Sequence, residues 1–400
     1  MEFMGWKRPD GRFGIRNHVL VLPASVCASD VTDQISRRVQ GTVTFHNQNG
    51  CSQVPSDQQL TMDVMAGYAA NPNVWGTLVV SLGCENCQMN LVVEAIRERT
   101  NKPIRQLIIQ KEGGTLKTVE AGVRVAREMV EQAARETRVS ADISNIILGT
   151  ECGGSDPTSG LAANPLVGMI SDWLVDQGAT SILSETPELI GAEHILARRA
   201  VNARVGQQIY DIIYRYEEAM ARVGEKIREG NPSPGNKAGG ITSLEEKSLG
   251  CIHKSGHAQI QAVYDYAKQV DAKGLVIMDT PGNDPSSVAG MVAGGAQIVV
   301  FTTGRGTPTG HPLAPVIKIT GNRDTYTMMS DNIDIDASPL IYKPQKKREL
   351  LDCLRASRPP QAPRFTTLGG QVVAPARPRN CANPRNATHG MAQKGVMQRF

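Results

Sequence analysis

Thiols and carboxylates recur in one kind of setting along this chain. Cys51 lies in NQNGCSQ, Cys84 and Cys87 in SLGCENCQ, and Cys152 in GTECGGSD. Each occupies a polar, glycine-bearing turn or follows an apolar run, which is not the company a core cysteine keeps. Glu85, Glu112, Glu185, Glu188 and Asp279 stand in comparable turns, as do Lys111, Lys237 and Arg305. Glu193 and His194 open a helical pattern, where backbone N–H groups attract anions. Carboxylates, lysines and imidazoles in such places can move protons once their surroundings tune them. Cations set among glycines can anchor an anion together with the backbone amides. Taken singly, a charged loop residue is more often just solvated, and Cys87 reads more simply as a packing or supporting cysteine. One C-x-x-C suits zinc or a redox pair equally, and no second pair completes a four-thiolate site. His253 and His257 in GCIHKSGH read as exposed or capping histidines before they read as site elements.

What must position these groups is a set of short, β-branched, nearly continuous apolar runs at 18–25, 41–47, 75–83, 104–110, 144–150, 179–185, 273–279 and 296–304. Such runs are how strands buried on both faces of a parallel sheet look. Helical periodicity fills several of the intervals, over 115–136 and again over 191–227. Strands alternating with helices predict an α/β protein of mainly parallel sheets flanked by helices. A polar link near Ser140 divides it into an expected first domain, 1–140, and a second, 141–340. The polar loops follow the strands, and in open α/β sheets ligands bind beyond the strands' carboxyl ends. Their joint occurrence points to an enzyme, with the candidate groups converging on one or two sites.

Composition narrows the class. A chain of 400 residues, 40% apolar and 20% charged, can bury a substantial core in two or three domains. Lys343 to Phe400 holds 12 Lys and Arg against 2 Asp and Glu, whereas residues 1–342 hold 31 against 37. The folded body is therefore mildly acidic, which removes the main argument for nucleic acid. The basic, proline-rich tail, 341–400, is expected to be largely disordered. Eight cysteines spread over a large chain read as reduced thiols. No apolar run approaches a membrane span and the N-terminus shows no signal core, so a cytoplasmic location is expected.

Read in order, GWKRPDGRFGIRN, GCENCQ, QKEGGTLKTVEAG, ECGGSDPTSGLAANPLVG, SETPELIGAEH, NPSPGNKAGGITSLEEKSLG, MDTPGNDP and FTTGRGTPTG resemble the altronate and galactarate dehydratase family, whose relatives include the large subunit of sulfolactate sulfo-lyase. The similarity runs from about Gly5 to Ala337 and fades after about Leu340. It implies an iron(II)-dependent lyase acting on a 2-hydroxy acid, with two α/β domains. It also implies a small N-terminal domain, here expected as a separate partner subunit. The loop His46-Asn-Gln-Asn-Gly-Cys51 departs from the glycine-rich pattern of the sugar-acid enzymes and implies a different substrate. Together these features make the chain more similar to the sulfo-lyase subunit, with 3-sulfolactate as substrate.

The implied chemistry assigns roles. An α-proton beside a carboxylate is weakly acidic, so the enediolate needs a metal or a cluster of donors. His46, Cys51, Cys84 and Cys152 are the expected iron(II) ligands. Glu85, Lys111, Glu112, Glu185 and His194 are the candidate acid–base groups. Asn231, Asn236, Lys237, Asp279 and Arg305 are the candidate anchors of a dianionic substrate, with NPSPGNKAGG (231–240) as an anion-cradling loop. An iron–sulfur or zinc protein, or a catalytically silent binding subunit, would use the same loops differently.

Overall fold

The computed structural model describes residues 1–342, together with a two-residue ladder at 365–366 and 372–373. The expectation about the tail therefore falls almost wholly outside the described residues. In chain order the strands are β1 (Glu2–Lys7), β2 (Phe13–Gly14), β3 (His18–Pro23), β4 (Thr42–Val43), β5 (Val74–Ser81), β6 (Ile104–Ile108), β7 (Val139–Asp142), β8 (Ile147–Cys152), β9 (Thr180–Leu183), β10 (Ile260–Tyr264), β11 (Gly274–Met278), β12 (Ile298–Thr303), β13 (Val316–Thr320) and β14 (Ile335–Asp336).

Two parallel sheets carry the molecule. The first has the order β4-β3-β5-β6, the second β10-β11-β9-β8-β12-β13-β14. Every residue of β5, β8 and β9 is buried, as strands covered on both faces require. All eight apolar runs form strands, so the expected fold class holds. The sequence reading missed β10, β13, β14 and the antiparallel trio β2-β1-β7. In that trio Ser140, the expected domain link, pairs with Met4.

The helical patterns needed one correction. The first runs Thr115–Ala134, as its spacing predicted. The second, 191–227, breaks into Glu193–Ala197, Ala203–Arg222 and Ile227–Gly230. Asn202 causes the first break: it is extended, and its side chain accepts a hydrogen bond from the Val205 amide at 3.0 Å. That is an N-cap, and it starts a new helix inside an apolar periodicity.

The two sheets share a core. Leu20, Leu22 and Val79 from the first and Val276, Met278 and Phe301 from the second belong to one apolar cluster. Helices Pro55–Ala70 and Asp284–Ala293 meet inside it, so closely that a Cβ on Gly67 would collide with the Ala293 backbone. Asn71 and Asn73 staple the halves together. Asn71 Nδ2 donates to the carbonyls of Val292 and Ala296, and Asn73 Nδ2 to those of Gln297 and Leu313, at 2.8–2.9 Å.

Candidate active site

Three strands of the second sheet, β8, β9 and β11, release their chains at one end, and a buried polar cluster fills the space beyond them. Glu151 and Cys152 close β8. Glu185 follows β9 by one residue, and Glu188 lies one turn further on. All four are buried. Facing them, helix Leu244–Cys251 supplies Lys247, and the turn after it supplies Lys254.

Lys254 is fully buried and pairs with Glu185 Oε2, which also accepts from the Cys152 amide at 3.0 Å. Lys247 pairs with Glu188 at 2.5 Å and donates to Asn231 Oδ1 at 3.0 Å. Glu151 Oε2 accepts from Ser287 at 2.6 Å and Ser184 at 3.1 Å. One oxygen of each carboxylate, Oε1 of Glu151, Oε1 of Glu185 and Oε2 of Glu188, is buried without a hydrogen-bond partner among the described residues. Three such atoms around two lysines are unusual, because buried acceptors are nearly always satisfied.

The electrostatics follow from the burial. Removal from water, then the neighbouring Glu185, push the Glu151 and Glu188 carboxyls above the usual range, Glu151 far above. Burial also raises the Cys152 thiol, whose Sγ lies 2.9 Å from Ser155 Oγ. For Lys254 burial opposes the charge, yet Cys251 and Glu185 outweigh it and the ammonium is held well beyond its ordinary range. The arrangement can store a proton on a carboxyl and hold a carboxylate against a cation, out of water. Those are the requirements of general acid–base chemistry.

Of the sequence candidates, Glu185, Glu188 and Cys152 lie in this cluster and Asn231 and Asn236 at its rim. Asn236 Nδ2 donates to the Ser155 carbonyl at 2.9 Å. The segment 231–240 is not an open loop. Ser233 caps a short helix, Pro234–Ala238, and the amides of Asn236, Lys237, Gly239 and Gly240 bond within the segment. Proline at the first helical position favours this helix, whose internal bonds use the N–H groups expected to cradle an anion. Lys237 is exposed. Arg305 is also exposed, and its backbone amide donates to Gly154 beside the Cys152 turn at 2.8 Å. Both Asp279 oxygens are engaged, one by Thr186 and one by Arg215, each at 2.5 Å.

The remaining candidates belong to other places. The loops of Cys51, Cys84 and Cys87 meet beyond the first sheet, where the Cys87 amide donates to Gly50 and the Ser52 amide to Asn86. Burial, with Glu85 and Cys51, pushes the Cys87 thiol up to about 11. Glu85 is spent on its own turn, accepting from the amides of Leu82 and Gly83 at 3.0 and 2.6 Å. His46 and Cys84 are exposed, as are Lys111 and His194, while Glu112 is half-buried. Among the described residues no three His, Cys, Asp or Glu side chains gather as a metal cage. The four expected iron(II) ligands, split between two sheets, do not fit a single site as folded.

Sequence reasoning missed Glu151, Lys247 and Lys254. Glu151 carried a signal, an acid ending an otherwise apolar strand. Lys254 was hidden behind the two histidines of GCIHKSGH, of which His257 pairs with Asp172 at 2.9 Å.

Comparison with known proteins places the chain in one family. Residues 5–134 match the family model for the second domain of D-galactarate dehydratase/altronate hydrolase, and residues 143–356 the model for the D-galactarate/altronate dehydratase C-terminal domain. The second match runs past Leu340, where the resemblance was expected to fade. The chain is 36% identical to an altronate dehydratase of Bacillus subtilis, over 84% of this chain and 69% of that protein. It is 35% identical to a (2R)-sulfolactate sulfo-lyase subunit beta of Chromohalobacter salexigens, over 88% of this chain and 90% of that protein. A galactarate dehydratase (L-threo-forming) of Escherichia coli is 32% identical, over 84% and 68%. These relatives are lyases that match along most of the chain, and the motif loops that build the buried cluster lie within the matched region. The chain belongs to the D-galactarate/altronate dehydratase family of lyases.

Proposed function

We propose that this chain is the large subunit of a sulfo-lyase that eliminates sulfite from (2R)-3-sulfolactate to give pyruvate, acting with a separate small subunit. The observation that carries the reaction type is the buried Glu185–Lys254 pair with an unpartnered carboxylate oxygen at a strand end. A base withdraws the C2 proton, C2 and C3 become doubly bonded, and the C3–S bond breaks with its electron pair leaving on sulfite. The enol then takes a proton at C3, gives up its hydroxyl proton and becomes pyruvate. Glu185 is suited to the first step because Lys254 and the Cys152 amide fix Oε2 and leave Oε1 to accept. Lys247, half-buried beside Glu188, and exposed Arg305 supply positive charge for a dianion. Glu185 and Lys254 are fully covered, so turnover requires the residues packed over them to part.

What supports the sulfonate substrate is the similarity to the subunit beta over nine-tenths of its length. The altronate dehydratase is as similar in identity, which favours loss of water from a sugar acid as the second reading. The expected iron(II) donors do not converge on this cluster, so the elimination is assigned to the protein's own groups and iron(II) is varied in the test. The test is anaerobic turnover of 3-sulfolactate, altronate and galactarate in parallel, with co-expressed small subunit, with and without iron(II). Equal release of sulfite and pyruvate is expected. A 2-keto sugar acid without sulfite moves the chain to the dehydratases, and no turnover of any of the three sinks the lyase reading.

A further inference from the structure

Glu185 has a left-handed backbone, φ 68° and ψ 63°. For a residue with a Cβ this backbone is strained and persists only where neighbours enforce it. Thr280, just beyond β11, enforces it from two sides. Its hydroxyl accepts from the Glu185 amide at 2.7 Å, and its carbonyl accepts from the Thr186 amide at 3.0 Å. Ser287 donates to Glu151 Oε2 at 2.6 Å, which leaves Ser287 Oγ to accept from Thr280 Oγ1 at 3.0 Å. The chain of donors is directional: Glu185 amide, Thr280, Ser287, Glu151. Asp279 adds a second clamp by accepting from Thr186. Thr280 and Ser287 are buried, 3% and 0% exposed, and Asp279 is half-buried.

We propose that Thr280 is a positioning residue for the elimination: its hydroxyl, backed by Ser287 and Glu151, holds Glu185 in the left-handed turn that brings the carboxylate onto Lys254 and the Cys152 amide. The proposal rests on the reading of Glu185 as the base. It also gives MDTPGNDP and SETPE a joint role, since one loop sets the backbone of the other. Neither Thr280 nor Ser287 meets the substrate.

Thr280→Val keeps the shape and removes the hydroxyl, whereas Thr280→Ser restores it. Misplacing a catalytic group by about 1 Å costs about 100-fold, so Thr280→Val is expected to lower kcat by about that factor on 3-sulfolactate or altronate. KM should move less than about twofold, because substrate anchoring is untouched. Thr280→Ser should recover most of the loss. A second readout needs no activity: iodoacetamide labelling of Cys152, followed by peptide mass. Once Glu185 leaves the Cys152 amide, local opening should label Cys152 about tenfold faster in Thr280→Val than in the parent or Thr280→Ser. Buried Cys87, beyond the other sheet, is the control and should not change. If Thr280→Val does not fold, Ser287→Ala carries the same two measurements. Unchanged kcat with unchanged Cys152 labelling overturns the proposal, as does a loss that Thr280→Ser fails to restore. A parent enzyme that turns over no substrate defeats the lyase reading alone, because Cys152 labelling still decides whether Thr280 holds Glu185.

Discussion

Glu151 shows how one residue's burial becomes a property of the protein. Its carboxyl is raised far above the ordinary 4.5 by burial and by Glu185. Between that value and the folded one, the native state holds a proton that the unfolded state has released. Stability is therefore fully present below about pH 4.5 and is lost as pH rises through the folded value. Glu188 is shifted in the same direction and adds to the slope. Glu151→Gln keeps an acceptor for Ser184 and Ser287 but cannot ionise. The thermal midpoint of this variant should fall less steeply than the parent's as pH is raised from about 4.5 toward neutrality. Equal slopes in a pair of melting series would show that Glu151 ionises freely.

Among the elements, the contact of helices Pro55–Ala70 and Asp284–Ala293 is the tightest constraint. Gly67 faces the backbone of Ala293, so an added methyl meets main chain rather than a side chain that can turn away. Overpacking of this kind costs about 1–3 kcal/mol, more than the roughly 1 kcal/mol that alanine gains over glycine in a helix. Gly67→Ala should lower the unfolding midpoint, and a raised midpoint would mean that the helices separate freely. Elements were also where local patterns misled. The apolar periodicity over 191–227 was real, but Asn202 capped a new helix within it. The proline- and glycine-rich composition of 231–240 predicts an anion-cradling loop, yet Ser233 and Pro234 start a helix there.

For the whole molecule the question is whether two sheets unfold as one. Asn73 bonds both halves: its Nδ2 donates to Gln297 and Leu313, and its Oδ1 accepts from the amides of Ile15 and Arg16. Removing a buried partner leaves each orphaned group at a cost of about 1–3 kcal/mol. Asn73→Ala should therefore shift denaturation by several such units and decouple the halves. Fluorescence and far-ultraviolet circular dichroism, coincident in the parent, should trace separate transitions in the variant. Coincident curves with an unchanged midpoint would assign the coupling to the shared apolar core alone.

The sequence by itself determined the α/β class, the eight main strands and the loops after them, because continuous β-branched runs and glycine-rich turns are local signals. It also marked Glu185 and Cys152 through the motifs that hold them. Only the tertiary structure decided that Lys254 meets Glu185, that Glu151 lies behind both, and that Thr280 sets the Glu185 backbone. Those partners are 69, 34 and 95 residues from Glu185 in the chain, and no spacing rule spans such distances. It also decided that His46, Cys51 and Cys84 stand beyond one sheet while Cys152 stands beyond another. A turn's composition tells that it is exposed at a strand end; strand order and sheet packing tell which turns become neighbours.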